Sequence, residues 1–174
     1  MKRFLLIVLA SLWFWTVSAQ TTSTEQTAKK VQHAIGADLG FTIGYGLAYR
    51  ATFNNFSTQL SFTPYSNDSH TRVSAGLSFY YTLKKHKVAE FFLYQGTHYI
   101  YDKNEVWDCI VMENDNCVEN TYTRVDNSVN IGAGLGIKLN FFEVMSFSLM
   151  GGYAGYDNFS SIGFTGEAVL LYHF

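Results

Sequence analysis

Between Arg72 and Leu83 the chain alternates without a break. Val73, Ala75, Leu77, Phe79, Tyr81 and Leu83 fall on one face, and Arg72, Ser74, Gly76, Ser78, Tyr80 and Thr82 on the other. A period of two belongs to a strand with unlike faces, and no helix reproduces it. The pattern returns from Val129, where Val129, Ile131, Ala133, Leu135, Ile137, Leu139 and Phe141 oppose Asn130, Gly132, Gly134, Gly136, Lys138 and Asn140. It returns again at Phe56–Thr63 and in the closing "GFTGEAVLLYHF". There Phe164, Gly166, Ala168, Leu170, Tyr172 and Phe174 oppose Gly163, Thr165, Glu167, Val169, Leu171 and His173. A chain dominated by such segments is all-β.

The spacing predicts eight strands, at about 32–40, 43–53, 56–65, 70–83, 88–101, 126–141, 144–155 and 161–174. Within the first boundary, "GADLGFTIGYG" can hold a turn or a bulge. "NN" at Asn54–Asn55, "SNDS" at Ser66–Ser69, "KKHK" at Lys84–Lys87, "FFE" at Phe141–Glu143 and "YDNFS" at Tyr156–Ser160 read as short hairpin connections. Residues 102–125 read as one long connection containing both cysteines.

Alternation by itself suits a soluble sandwich or a lipocalin-like barrel equally well. The content of the faces separates them. The polar set is rich in Gly, Ser, Thr and Asn, with few of the Lys and Glu residues that solvate a surface. Small polar side chains fit the narrow interior of an eight-stranded barrel, which leaves the Leu, Ile, Val, Phe and Tyr set facing lipid. Strands of about ten residues, tilted, cross the hydrocarbon layer, and closure removes the unpaired edges that lipid penalises. The fold expected is a closed antiparallel eight-stranded transmembrane barrel. With both ends on one side, the "NN", "KKHK" and "FFE" turns share that side, and the long cysteine connection falls on the opposite, outer side. Aromatics gather at both strand ends: Phe53, Phe56, Phe91, Phe141, Tyr172 and Phe174 at one, Tyr65, Tyr99, Tyr101, Tyr153 and Tyr156 at the other.

"MKRFLLIVLASLWFWTVSAQ" has the parts of a secretory signal: Lys2 and Arg3, an apolar run from Phe4 to Trp15, and small residues Val17 and Ala19 before a cut. Cleavage after Ala19 leaves ten basic residues against 14 acidic, a net charge of −4. A nucleic-acid partner would require a basic face instead. Residues 20–30 are polar and read as a tail preceding a barrel at 31–174. Cys109 and Cys117, the only cysteines of an exported chain, read as a disulfide.

With "VSAQ", the hairpin "GLAYRATFNN" (Gly46–Asn55) and the closing "TGEAVLLYHF", residues 30–174 resemble the small eight-stranded outer-membrane β-barrel family of Gram-negative envelopes. The resemblance implies a fold and a cell-outer-membrane location, with outer-membrane lipid and the barrel-insertion machinery as partners. It also implies that Tyr172 and Phe174 belong to an insertion signal. The cysteine connection lies outside it.

Face counting aims Arg50, Arg72, Glu90, Lys138 and Glu167 inward. Opposite charges in a narrow lumen are expected to pair, since an unpaired buried ion is costly. Glu167 is therefore expected to meet Arg50, Arg72 or Lys138 and to help plug the barrel. The external connection carries Asp102, Glu105, Asp108, Glu113, Asp115, Glu119 and Asp126, half of the 14 acids. Glu113, Asp115 and Glu119 are the candidate binding residues of an acidic, disulfide-closed surface loop. "ENDNCVEN" lacks the spaced pattern of a calcium loop, so no metal and no cofactor are expected. "GAGLG" at Gly132–Gly136 lies inside a strand, where a dinucleotide fingerprint would close one, so these glycines are expected to make room for Arg, Lys or Tyr from other strands. The role expected is structural or surface-binding. Two rivals are a lipid A acyl hydrolase or transferase built on His70, with Asp68 and Ser69, or on His98, and a soluble exported carrier. The sequence "DSHT" does not supply the arrangement such a deacylase needs.

Overall fold

The computed structural model describes residues 31–67, 70–111, 117–141 and 144–174, and at 107–111 and 117–121 the backbone alone. The expected signal peptide, its cleavage site and the polar tail lie outside the described residues. Every regular element described is a strand: β1 (Gln32–Gly40), β2 (Gly44–Phe53), β3 (Phe56–Ser66), β4 (His70–Lys85), β5 (Ala89–Val111), β6 (Cys117–Phe141), β7 (Met145–Tyr156) and β8 (Ser161–His173). Each pairs antiparallel with the next, and β1 pairs with β8, closing a barrel in sequence order. The seam runs from Ala34↔His173 to Leu39↔Ala168. The expected fold is the observed one.

The two faces are sorted as the alternation requires. Ser57, Gln59, Ser61, Ser74, Ser78, Ser146, Ser148 and Thr165 are buried inside. Leu47, Leu60, Leu93, Leu135, Tyr153, Ile162, Phe164 and Phe174 are exposed outside, Phe164 at 72%. Water would penalise this continuous apolar exterior at about 25 cal/mol per Å2. Hydrocarbon does not, so the belt is a lipid-facing surface.

Two hairpins depart from the sequence reading. The span 102–125 is not one long connection. β5 continues to Val111 and β6 begins at Cys117, paired throughout from Ala89↔Leu139 to Val111↔Cys117. The β4 ladder stops at His70↔Asn104 and the β7 ladder at Ile131↔Gly155. From Glu105 outward, β5 and β6 therefore form a two-stranded ribbon with no third strand, running about 24 Å at 3.4 Å per residue.

The β1–β2 hairpin does the opposite. β2 meets β3 only from Phe53↔Phe56 to Leu47↔Phe62, and β1 meets β8 only as far as Leu39↔Ala168. Its turn, Phe41–Ile43, bends into the barrel, with Thr42 and Ile43 both 0% exposed. Gly44 (φ 95°) and Gly46 (φ 117°) take the left-handed backbone that lets β2 leave this bend.

Candidate functional site

The interior is a stack of polar layers cut by that turn. At the end holding the chain terminus, Lys138 Nζ lies 2.7 Å from Glu90 Oε2 and Lys85 Nζ lies 3.6 Å from Glu90 Oε1. Asn140 donates to the same carboxylate at 3.3 Å. Glu90 and Lys138 are cross-strand partners on β5 and β6, so the pairing follows from register. These groups line a cavity of about 390 Å3 with Gln32, Lys87 and His173.

Above it, Arg50 donates through Nε and Nη2 to Gln59 Oε1, at 2.9 and 2.7 Å. Gln59 Nε2 donates to Asp38 Oδ2 at 2.7 Å, and Ser61 donates to the same oxygen. The Arg50 guanidinium also lies 4.0 Å from the centre of the Tyr80 ring. A buried cation is thus held by an amide and an aromatic face, with its counter-charge one residue removed. Val169, Leu171, Phe92, Met150 and Ile43 pack around this layer as a small apolar core.

The turn then crosses the lumen. A Cβ added to Gly76 would sit 1.9 Å from the Ile43 carbonyl oxygen, one on Gly96 2.6 Å from the Thr42 oxygen, and one on Gly132 2.7 Å from Thr42 Cγ2. The tip therefore rests against β4, β5 and β6, on bare backbone. Its polar groups are bonded there: the Phe41 carbonyl accepts from Asn130 Nδ2 at 3.0 Å and lies 3.0 Å from His98 Nδ1. His98 Nε2 is 2.8 Å from Ser74 Oγ. Thr42 and Thr165 both donate to Glu167 Oε1.

Beyond the turn, Asp102 is shared by His70 at 3.1 Å, Arg72 at 3.8 Å and Asn104 at 2.7 Å.

All five expected lumen residues lie on inward positions, and the structure divides them among separate layers. Glu90 meets Lys138, Arg72 meets Asp102, and Arg50 meets Gln59. Glu167 meets none of its expected cations within 4.0 Å among the described residues; its partners are the hydroxyls of Thr42 and Thr165. The inward turn brings Thr42 to it, which no strand pattern foretells. Gly132 likewise makes room for the turn rather than for a long side chain, and Gly136 for Phe92 and Met150. Sequence reasoning also missed Asp38, although its parity with Ala34 and Gly36 on β1 marks it as inward.

Cys109 stands opposite Glu119 and Cys117 opposite Val111, so the cysteines are offset by two positions on the ladder. Diagonal neighbours lie roughly 7–8 Å apart, beyond the Cα separation of about 4.4–6.8 Å that a disulfide spans. The side chains of both cysteines lie outside the described residues, and this register does not show the expected bridge. Glu113 and Asp115 lie outside the described residues, as do Asp68 and Ser69; Glu119 is described as backbone in β6. Tyr172 and Phe174 face outward beside the seam, 51% and 70% exposed.

No protein-family model matches the chain, and no curated protein matches it. Among solved structures it is similar to the N-terminal β-barrel domain of Pseudomonas aeruginosa OprF (16% identity over 83% of this chain and 96% of that one, TM-score 0.48). It is also similar to Neisserial surface protein A (11% identity, 82% and 92%, TM-score 0.45). A third is Ail, the attachment invasion locus protein of Yersinia pestis, in complex with a heparin analogue, sucrose octasulfate (16% identity, 83% and 95%, TM-score 0.39). At these distances, membrane residence rests on the chain's own surface.

Proposed function

We propose that this chain is an outer-membrane β-barrel of a Gram-negative envelope, with a structural or surface-binding role carried by the β5–β6 ribbon. The observation that carries the reading is the ribbon itself, which leaves an apolar belt and extends past every neighbouring strand. A strand pair with both edges free offers backbone donors and acceptors to an incoming partner. Its acids, among them Glu105, Asp108, Glu113, Asp115 and Glu119, favour a basic partner. The signal-like first 19 residues support export, and Tyr172 and Phe174 on the lipid face suit contact with insertion machinery.

The lumen is closed in this reading by the inward turn and the charged layers beneath it. A Cys109–Cys117 disulfide closing the ribbon end belongs to this reading and would stabilise by roughly 2–3 kcal/mol for so short a loop. A soluble carrier would place its apolar residues inside. The acyl-hydrolase alternative has a serine–histidine contact in Ser74 and His98, but Ser74 is 0% exposed and the other His98 nitrogen faces a backbone carbonyl. That pair anchors the turn.

The test is protease treatment of intact expressing cells, followed by membrane fractionation and non-reducing peptide mapping. Cleavage confined to 105–123, with a heat-modifiable barrel fragment left in the membrane, is expected. Recovery of the protein as a soluble periplasmic species would overturn the assignment.

A further inference from the structure

Because the first hairpin bends inward, the barrel wall is incomplete above it. Ser161–Glu167 of β8 have no β1 partner on the ladder, and Pro64–Ser66 of β3 have no β2 partner. Behind this gap is a cavity of about 540 Å3, within the roughly 300–1,000 Å3 of small-ligand sites. Its walls come from both sides of the barrel. Leu39, Ala168 and Leu149 are successive cross-strand neighbours on the lipid face, and Leu39 is 71% exposed. Ile100 and Met150 line the same space from within. The cavity therefore connects hydrocarbon to the lumen, and its apolar walls suit a hydrocarbon chain.

Its polar groups are few and incompletely bonded. Tyr45 Oη, Arg72 Nε and Glu167 Oε2 are buried atoms with no hydrogen-bond partner, and all three residues line this cavity. Glu167 is 5% exposed. Buried polar atoms are nearly always satisfied, so the two donors among them, Tyr45 Oη and Arg72 Nε, facing one space point to a ligand that brings an acceptor. Arg72, whose ion pair with Asp102 at 3.8 Å is too long for a hydrogen bond from Nε, and Tyr45 are both free to donate, and suit an acceptor, most favourably an oxyanion. Glu167, an acceptor, sets itself against a head of higher negative charge. His98 has both ring nitrogens engaged, with Ser74 and the Phe41 carbonyl, and serves as wall.

We propose that this cavity is a lateral binding site for a long-chain fatty acid entering from the outer half of the membrane. The carboxylate sits at Arg72 and Tyr45, and the chain runs out past Met150 to Leu39 and Leu149. The site is independent of the ribbon and involves no bond-making step.

Oleic acid and its methyl ester, titrated calorimetrically into the refolded full chain in detergent, test the proposal. Saturable, stoichiometric oleate binding is expected. Nothing lies within 4 Å of a Cβ added at Gly166, which lines the mouth. Gly166→Trp is therefore tolerated by the fold and should weaken binding of both probes by about tenfold or more, or about 1.4 kcal/mol. Arg72→Gln should weaken oleate by about tenfold and leave the ester nearly unchanged. Ala168→Trp replaces the first variant if heat-modifiable migration shows that it misfolds. Absence of saturable oleate binding, or binding that these variants leave unchanged, overturns the proposal.

Discussion

Two hairpins leave the barrel at the same end and go opposite ways. The β1–β2 pair is short, and Thr42 and Ile43 of its three-residue turn are buried against three opposing strands. The β5–β6 pair has strands of 23 and 25 residues and stands free of its neighbours. Destination follows from how the backbone groups at each tip are satisfied. A tip in water bonds to water and needs no particular sequence. A tip inside the barrel needs named partners, which Asn130, His98 and Glu167 supply, and room, which the Cβ-less faces of Gly76, Gly96 and Gly132 supply. The inward hairpin is thereby coupled to the stability of the whole barrel, and the outward one is not.

The largest effect that would break this contrast is expected from Gly76→Val. Its Cβ collides with backbone that cannot rotate away, so urea unfolding in detergent should show a loss of about 3 kcal/mol. If the turn is expelled instead, single-channel conductance should appear in planar bilayers. Thr42→Val removes one hydroxyl from a buried carboxylate and should cost about 2 kcal/mol by the same unfolding measurement. His98→Phe, which keeps the ring volume and loses both polar contacts, should cost about 1 kcal/mol. The smallest effect sharpens the contrast from the other side. Replacing residues 105–123 by a two-residue turn should leave the unfolding free energy within about 0.5 kcal/mol of the parent. It should also abolish any binding of basic partners to cells displaying the protein. A loss comparable to that of Gly76→Val would show that the ribbon is part of the folding unit.

The strands most legible in the sequence are those whose two faces meet unlike surroundings. β8 is written plainly because Leu170 and Tyr172 meet lipid while Glu167 and Thr165 meet the lumen. The outer parts of β5 and β6 are illegible for the converse reason. Both faces of a free ribbon meet water, nothing forces alternation, and "DKNEVWDCIV" reads as a loop. Lumen positions follow from parity, and so do Arg50, Glu90 and Lys138. Their partners follow only when they are cross-strand neighbours, as Glu90 and Lys138 are. The Glu167 contact depends on a turn folding across the barrel, and "FTI" carries no pattern from which that bend can be read. The same bend opens the wall, so the cavity beside Arg72 escapes a reading by strands alone.

The three glycines under the turn also constrain how such a chain can diverge. Ribbon residues from Glu105 outward pair with no third strand among the described residues, so exchanges there should carry little penalty. At Gly76 a single added carbon meets a carbonyl oxygen at 1.9 Å, and no rotamer relieves it. Descendants that keep the hairpin inside must keep this position bare, whatever they display outside. Distant kinship would then be written in a few inconspicuous glycines and a tripeptide turn, while the exposed hairpin drifts.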